Sequence, residues 1–166
     1  QRHANAVTTS LKRTVRDAIE ILGNEVLAVT GGKYPTGKRK GVWIESQDLT
    51  IECLRYMYRL LFLFYAEANP RLGIIPLNDE VYRKGYSLEA LRGLETRKLR
   101  TQEEKEGSFL WDSLQRLLGL MYEGLDRTQI GGEQMFSLPR VRVSLLDPDS
   151  TPILSNVKLR NEAMQR

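Results

Sequence analysis

The feature that most constrains the fold of this chain is an apolar segment, LTIECLRYMYRLLFLFYAEANP, at residues 49–70. In its centre, the 11 residues from Tyr56 to Ala66, the only charged side chain is that of Arg59. A helix needs about 20 apolar residues to cross a bilayer, so no membrane partner is expected. A helix that is apolar around nearly its whole circumference is typically buried in a protein. The segment therefore predicts a central core helix.

The ends of this helix follow from its flanking residues. Ser46 is predicted to cap its first turn, where Asp48 and Glu52 suit the positive end of the helix dipole. The helix is expected to run from about residue 47 to residue 68, because Asn69-Pro70 cannot continue it.

Arg59 is then a charged residue inside a buried helix, which is costly unless the charge has a partner. We expect it to pair with a carboxylate, either that of Glu67 or one on a neighbouring helix. The alternative is that Arg59 forms part of an anion site.

The composition, 41% hydrophobic and 28% charged, is that of a globular protein of about one domain. The single cysteine, Cys53, and the single histidine, His3, exclude an internal disulfide and a two-histidine metal site. We expect Cys53 to be a core residue in a reducing, cytoplasmic protein. The N-terminal residues lack the apolar run of a signal peptide and do not begin with Met. Residues 1–166 are therefore expected to be a single helical domain or a fragment of a larger chain.

An amphipathic helix is predicted from about residue 5 to residue 28, ended by Gly31 and Gly32. Its apolar residues are spaced by 3 or 4 positions along one face. They are Val7, Leu11, Val15, Ala18, Leu22, Val26 and Val29.

The segment GGKYPTGKRKG, residues 31–41, follows as a flexible, positively charged loop, here called the basic loop. It is not a Walker phosphate-binding loop, because Arg39 stands where the motif needs Ser or Thr and a helix precedes it instead of a strand. Contact with a DNA backbone is the functional prediction, and a solvated loop is the alternative. The predicted contact residues are Lys33, Lys38, Arg39 and Lys40.

Most aromatic residues are expected in the core or in an interface. Among the tyrosines only Tyr34 lies in the basic loop, where an exposed ring could stack on a base. The residues predicted for the core or an interface are Trp43, Trp111, Tyr56, Tyr58, Tyr65, Tyr82 and Tyr86.

Capping residues mark further helices along the chain. Asn78 or Asp79 can begin a short helix, Ser87 another, and Thr101 with Glu104 fits a capping box. The last strong helix begins either at this capping box or near Ser108 as its cap, and it runs through about residue 125, where Gly124 or Gly131 ends it.

The helical part, about residues 1–125, is followed by an extended, irregular part, about residues 126–166. The alternating segment RVRVSL, residues 140–145, predicts one short strand in it. The predicted fold is therefore mainly α: an irregular helical bundle with a basic loop after the first helix and a mostly non-regular C-terminal segment.

No catalytic constellation is visible among these residues. Glu103 and Lys105 form an E-x-K pair, but the Pro148-Asp149 pair of a nuclease motif would have to precede it and instead follows it. Asp147 and Asp149 flank a proline, which favours a turn over a cation site that needs six or more oxygens. We predict no catalytic, cofactor-binding or metal-binding residue in this chain.

Three stretches together resemble the helical region that precedes the catalytic domain of large bacterial restriction–modification DNA adenine methylases, of the type IIG, DISARM or BREX-like kind. They are ECLRYMYRLLFLFYAEANPRLGIIPLNDEVYRKGYSLEALRGLE, GSFLWDSLQRLLGLMYEG and LLDPDSTPILSNVKLRNEAM, which lie between residues 46 and 164.

The resemblance implies a parent protein that transfers a methyl group from S-adenosylmethionine to adenine N6 in DNA. The Asn-Pro-Pro-Tyr motif that holds the flipped adenine in this family is absent here, and Asn69-Pro70-Arg71 does not replace it. The predicted role is a non-catalytic connector or scaffold of such an enzyme, with duplex DNA and the rest of the parent methylase as partners. The alternative is a docking module that binds no DNA.

Overall fold

A computed structural model describes residues 2–96, 98–125 and 138–165. Within these residues the chain forms seven α-helices and no β-sheet, which confirms the predicted mainly helical fold. None of the helices in this part of the chain combines the length and apolarity needed to cross a membrane. The helices are α1 (Arg2–Thr30), α2 (Ser46–Ala68), α3 (Glu80–Gly85), α4 (Leu88–Glu95), α5 (Gln102–Glu106), α6 (Phe109–Glu123) and α7 (Asn161–Met164).

Helix α1 packs on α2 mainly through its C-terminal half. Leu22 and Val26 are buried there, as the apolar stripe predicts. The same stripe is exposed near the N-terminus, where Val7 and Leu11 keep 67% and 54% of their surface accessible. Helical periodicity therefore gives the correct helix, but no described residue covers the first half of its apolar face.

Helix α2 buries one face only, so the prediction that its whole circumference is buried is wrong. The buried stripe consists of Leu49, Glu52, Cys53, Tyr56, Arg59, Leu63 and Ala66. The exposed large apolar residues of this helix are Ile51, Tyr58, Leu61, Phe64 and Tyr65. Ser46 is not the cap either, because Glu45 holds the N-cap position, and the Glu45 side chain makes no capping hydrogen bond.

The irregular C-terminal segment, residues 138–165, is held by charged side chains of α2. Arg59 donates hydrogen bonds to the carbonyl oxygens of Leu145 (2.6 Å) and Asp147 (2.8 Å), not to the carboxylate that the sequence led us to expect. Glu52 accepts from the backbone N–H groups of Ile153 and Leu154, at 2.9–3.1 Å. Buried backbone groups outside regular structure need such partners. Helix α2 therefore supplies the hydrogen-bond partners that a neighbouring strand would otherwise provide.

A second anchor ties the same segment to α1. Glu25, buried on α1, accepts hydrogen bonds from the backbone N–H, Nε and Nη2 of Arg160 at 2.8–3.0 Å. The C-terminal segment is thus bonded to both long helices.

The segment RVRVSL forms no strand, and that prediction is wrong. The N–H of Val141 donates to the carbonyl of Met121 at the end of α6, and the bridge to Leu125 is formed by Leu138, which precedes this segment. Alternation alone cannot make a strand when no neighbouring strand is available to pair with it. The irregular character predicted for residues 126–137 lies outside the described residues.

Three of the five predicted helix caps are confirmed, Ser46 being one of the two that are not. Asp79 accepts from the N–H of Val81 and Ser87 from that of Ala90, while Thr101 and Glu104 form the capping box. Ser108 occupies the N-cap of α6 without capping it.

A residue distant in sequence caps α6 instead. Asn161 Oδ1 accepts from the N–H of Leu110 at 3.1 Å, and its amide donates to the carbonyl of Glu104 at 2.8 Å. The helix ends at Gly124, whose φ of 77° favours glycine.

The pH dependence of stability should report on Glu52. Burial raises the pKa of this carboxyl above its usual value, although the N–H groups of Leu154 and Ile153 oppose the shift. A raised folded-state pKa means that stability is fully present below the unfolded-state pKa and is lost as pH rises through the folded-state pKa. Wild type should therefore lose stability relative to Glu52→Gln as pH rises through that range.

Urea unfolding of wild type and Glu52→Gln from about pH 4 to pH 7 measures the difference between their free energies of unfolding. The contributions of the other acidic groups are common to both proteins and cancel in this difference. A difference that instead grows in favour of wild type with rising pH would mean that the N–H bonds outweigh burial at Glu52.

Candidate nucleic-acid interface

The basic loop has a defined backbone. The N–H groups of Tyr34 and Ile44 donate to the carbonyls of Val42 and Gly32, at 2.9 and 2.8 Å. Lys33 and Trp43 form an antiparallel bridge between these bonds. The two sides of the loop are therefore paired with each other, and the bridge places the side chains of Lys33 and Trp43 on one face.

Arg39 and Tyr34 hold this loop against α2. The Arg39 guanidinium bonds to Glu45 and, at 2.9 Å, to Asp48, and it lies 4.4 Å over the Tyr34 ring. The Tyr34 hydroxyl donates to Asp48 and accepts from the N–H of Glu45. Burial, and then the bond to Asp48, raise the pKa of Tyr34.

Arg39 and Tyr34 are therefore engaged within the protein. Of the predicted contact residues, Arg39 is the one with internal ion-pair partners, and Tyr34 is too buried to offer its ring to a base. The other three predicted residues, Lys33, Lys38 and Lys40, are exposed on the same loop. No ion pair involves any of these three among the described residues.

Two of these lysines share a surface depression with a lysine from the C-terminal segment. Lys33, Lys40 and Lys158 line a depression of about 450 Å³, together with Asn156. Lys158 also lies 3.7 Å from Asp112, in an exposed pair of the kind that contributes little. Sequence reasoning missed Lys158 because nothing local marks it, since the segment NVKLR contains no basic cluster.

Trp43 is the second residue that sequence reasoning missed, since it was predicted for the core or an interface and Tyr34 alone was considered for base stacking. It is 69% exposed, and Lys33 Nζ lies 5.3 Å from the centroid of its ring. Its position two residues after the run Lys38–Gly41 was the available signal. The exposed tyrosines of α2, Tyr58 and Tyr65, also lie outside the core.

These side chains can bind anions and aromatic rings. Lysine ammonium groups contact phosphates without regard to sequence, and an indole can stack on a base. Of the two aspartates considered for a cation site, Asp147 caps the turn Pro148–Ser150, as the proline between them predicts.

No family model, curated protein or solved structure matches this chain. The three stretches that resemble restriction–modification methylases fall on α2–α4, on α6 and on the C-terminal segment. These elements pack around one hydrophobic core. The family assignment stays a prediction that rests on the quoted residues.

Proposed function

We propose that this chain is a non-catalytic helical scaffold of a DNA adenine-N6 methyltransferase that uses S-adenosylmethionine, in a restriction–modification or phage-defence system. In this proposal the basic loop contacts the phosphate backbone of duplex DNA. The observation that carries the DNA contact is the fixed loop with its three exposed lysines, Lys33, Lys38 and Lys40.

The internal bonds of the loop support this role. Arg39 is bonded to both Glu45 and Asp48, and these two carboxylates offset only part of the charge of the loop, since its four cations minus the two acids leave +2. The three lysines then give the loop surface a positive potential that attracts a polyanion. Because hydrogen bonds already order the backbone, binding would cost less conformational entropy than with a mobile loop.

The parent enzyme would have a use for such contacts. A methylase that flips its target base must hold the duplex while the base leaves the stack. Contacts to phosphates fix the position and orientation of a protein on the duplex without reading the sequence. A scaffold with a basic loop fits that need, and the methyl transfer itself would take place elsewhere in the parent.

Changing Lys33, Lys38 and Lys40 together to Ala is expected to abolish most duplex binding. Each phosphate contact contributes a slope of about −0.9 to the plot of log K against log salt concentration, so three lost contacts should flatten it by roughly 2.7. Fluorescence anisotropy of a labelled duplex, titrated between about 50 and 200 mM salt, measures both effects.

The matched control changes Lys12, Lys84 and Lys98 to Ala. These lysines are also exposed but lie outside the basic loop, and the change in net charge is the same. Arg39 is left intact because its loss would release the loop from α2. Equal losses in both triple variants would mean that general charge, and not the loop, attracts the DNA.

The second candidate function is a docking module that binds no DNA, and the exposed face of α2 favours it. Tyr58, Leu61 and Tyr65 lie one helical turn apart and are all exposed. Contiguous exposed apolar surface of this kind marks interaction sites. In this alternative α2 would dock on the rest of the parent or on a partner subunit. Wild type that binds no duplex even at the lowest salt would favour docking over DNA contact.

A further inference from the structure

We infer that Trp43, with Lys33 and the neighbouring depression, forms a site for an unpaired nucleotide, so that this surface binds single-stranded nucleic acid more tightly than duplex. The inference rests on the proposed function, in that it takes the lysines of the basic loop to contact nucleic-acid phosphates. It adds Trp43 as a stacking residue and Lys158 as a further phosphate contact.

Trp43 is exposed and yet held in one place. Its ring lies against Gly32 so closely that a Cβ atom at Gly32 would stand 3.0 Å from Cζ3. Gly32 also has a φ of 77°, which a residue with a side chain rarely adopts. The hydrogen bond from Ile44 N–H to the Gly32 carbonyl fixes the backbone beside the ring. The local structure thus accommodates an indole without burying it.

An exposed tryptophan needs a reason, because its large apolar surface is normally covered. Within the described residues, the side chain of Lys33 is the one cation over its ring. Aromatic side chains next to lysines are the usual elements of single-strand sites, in which the rings stack on bases and the cations follow the backbone. Trp43 and Lys33 provide this pair across one antiparallel bridge.

The depression supplies the phosphate side of the site. Lys33 both lines the depression and lies over the Trp43 ring, so it connects the two features. Lys40 and Lys158 approach the same depression from the basic loop and the C-terminal segment. A nucleotide whose base stacks on Trp43 would therefore have three ammonium groups within the same stretch of surface.

Base pairing decides which nucleic acid can use Trp43. In a duplex each base is already stacked and paired, so an indole can reach a base face only after the base leaves the helix. In a single strand the base faces are accessible at little cost. Duplex should therefore use the lysines alone, whereas a single strand should use the lysines and the indole.

The test compares one DNA sequence of about 15 nucleotides as single strand and as duplex, by anisotropy at fixed salt. Trp43→Ala is expected to weaken single-strand binding by roughly 5- to 140-fold, the range for loss of one stacked base. Duplex binding should change by less than about twofold. Trp43→Phe keeps a stacking ring and should restore part of the loss. Lys158→Ala should weaken binding of both forms.

The results separate this inference from the proposed function. Equal weakening of both DNA forms by Trp43→Ala, or no weakening, would overturn the stacking role. Duplex binding that is lost in the Lys33, Lys38 and Lys40 variant would still support the proposed function in that case. Wild type that binds neither form would overturn both. Thermal unfolding of each variant verifies that it is folded, which is expected for Trp43→Ala because the residue is largely exposed.

Discussion

Changing Trp111 to Ala is expected to lower the free energy of unfolding by about 3–5 kcal/mol, the usual cost of removing a buried tryptophan side chain. Trp111 is 1% exposed on α6, and its ring lies 4.9 Å from that of Tyr56 on α2. Its Nε1 donates to the carbonyl of Val157 at 2.9 Å. The substitution therefore leaves a cavity between two helices and an unpaired carbonyl in the C-terminal segment.

Urea unfolding followed by circular dichroism measures this loss, and Trp43→Ala is the matched control. The two tryptophans carry the same side chain, but Trp43 is exposed, so its removal should change stability by about 0.5 kcal/mol or less. Similar losses in both variants would contradict the assignment of Trp111 to the core and Trp43 to the surface.

Changing Arg59 to Met is expected to cost about 2–4 kcal/mol of stability. Arg59 is 2% exposed and donates to the carbonyls of Leu145 and Asp147 and to Ser150 Oγ, at 2.6–2.9 Å. Hydrogen bonds from a charged group contribute about 1.5–3 kcal/mol each, but methionine also avoids the cost of burying a charge. Burial lowers the pKa of Arg59, yet a guanidinium stays protonated at neutral pH.

Arg55→Met provides the control for this prediction. Arg55 lies one turn earlier on α2, is exposed, and makes one described hydrogen bond, to the Ser150 carbonyl at 2.7 Å. Its replacement should cost no more than about 1 kcal/mol. Hydrogen exchange should also show that Arg59→Met loosens the backbone of residues 145–154 more than it loosens α1. Unchanged protection in residues 145–154 would argue against Arg59 as their anchor.

The exposed face of α2 shows where periodicity stops being informative. The sequence of this helix is apolar on both faces, so no pattern distinguishes Tyr56, which is buried, from Tyr58, which is exposed. Which side is covered depends on where α1 and the C-terminal segment lie. Composition predicts that α2 is central to the core, and only the packing of distant segments decides how much of it is buried.

The candidate site could be predicted only in part, because it also depends on the packing of segments that are distant in the sequence. A run of basic residues after a helix is a local feature, so the loop and its exposed lysines follow from the sequence. The engagement of Arg39 with Glu45 and Asp48 depends on how the loop folds back on α2. Lys158 joins the site from the far end of the chain, and the exposure of Trp43 depends on the approach of Gly32.

The sequence by itself determined the helical class of this protein, the positions of its main helices and most of their caps. These features depend on residues three or four positions apart, which interact as soon as a helix turn forms. Only the tertiary structure decided the partners of Arg59 and Glu52, the absence of a strand at residues 140–145, and the cap of α6 by Asn161. The hydrogen bonds of Arg59, Glu52 and Asn161 join groups far apart in the chain. They do so because an irregular buried segment must take its hydrogen bonds from whichever side chains the fold brings to it.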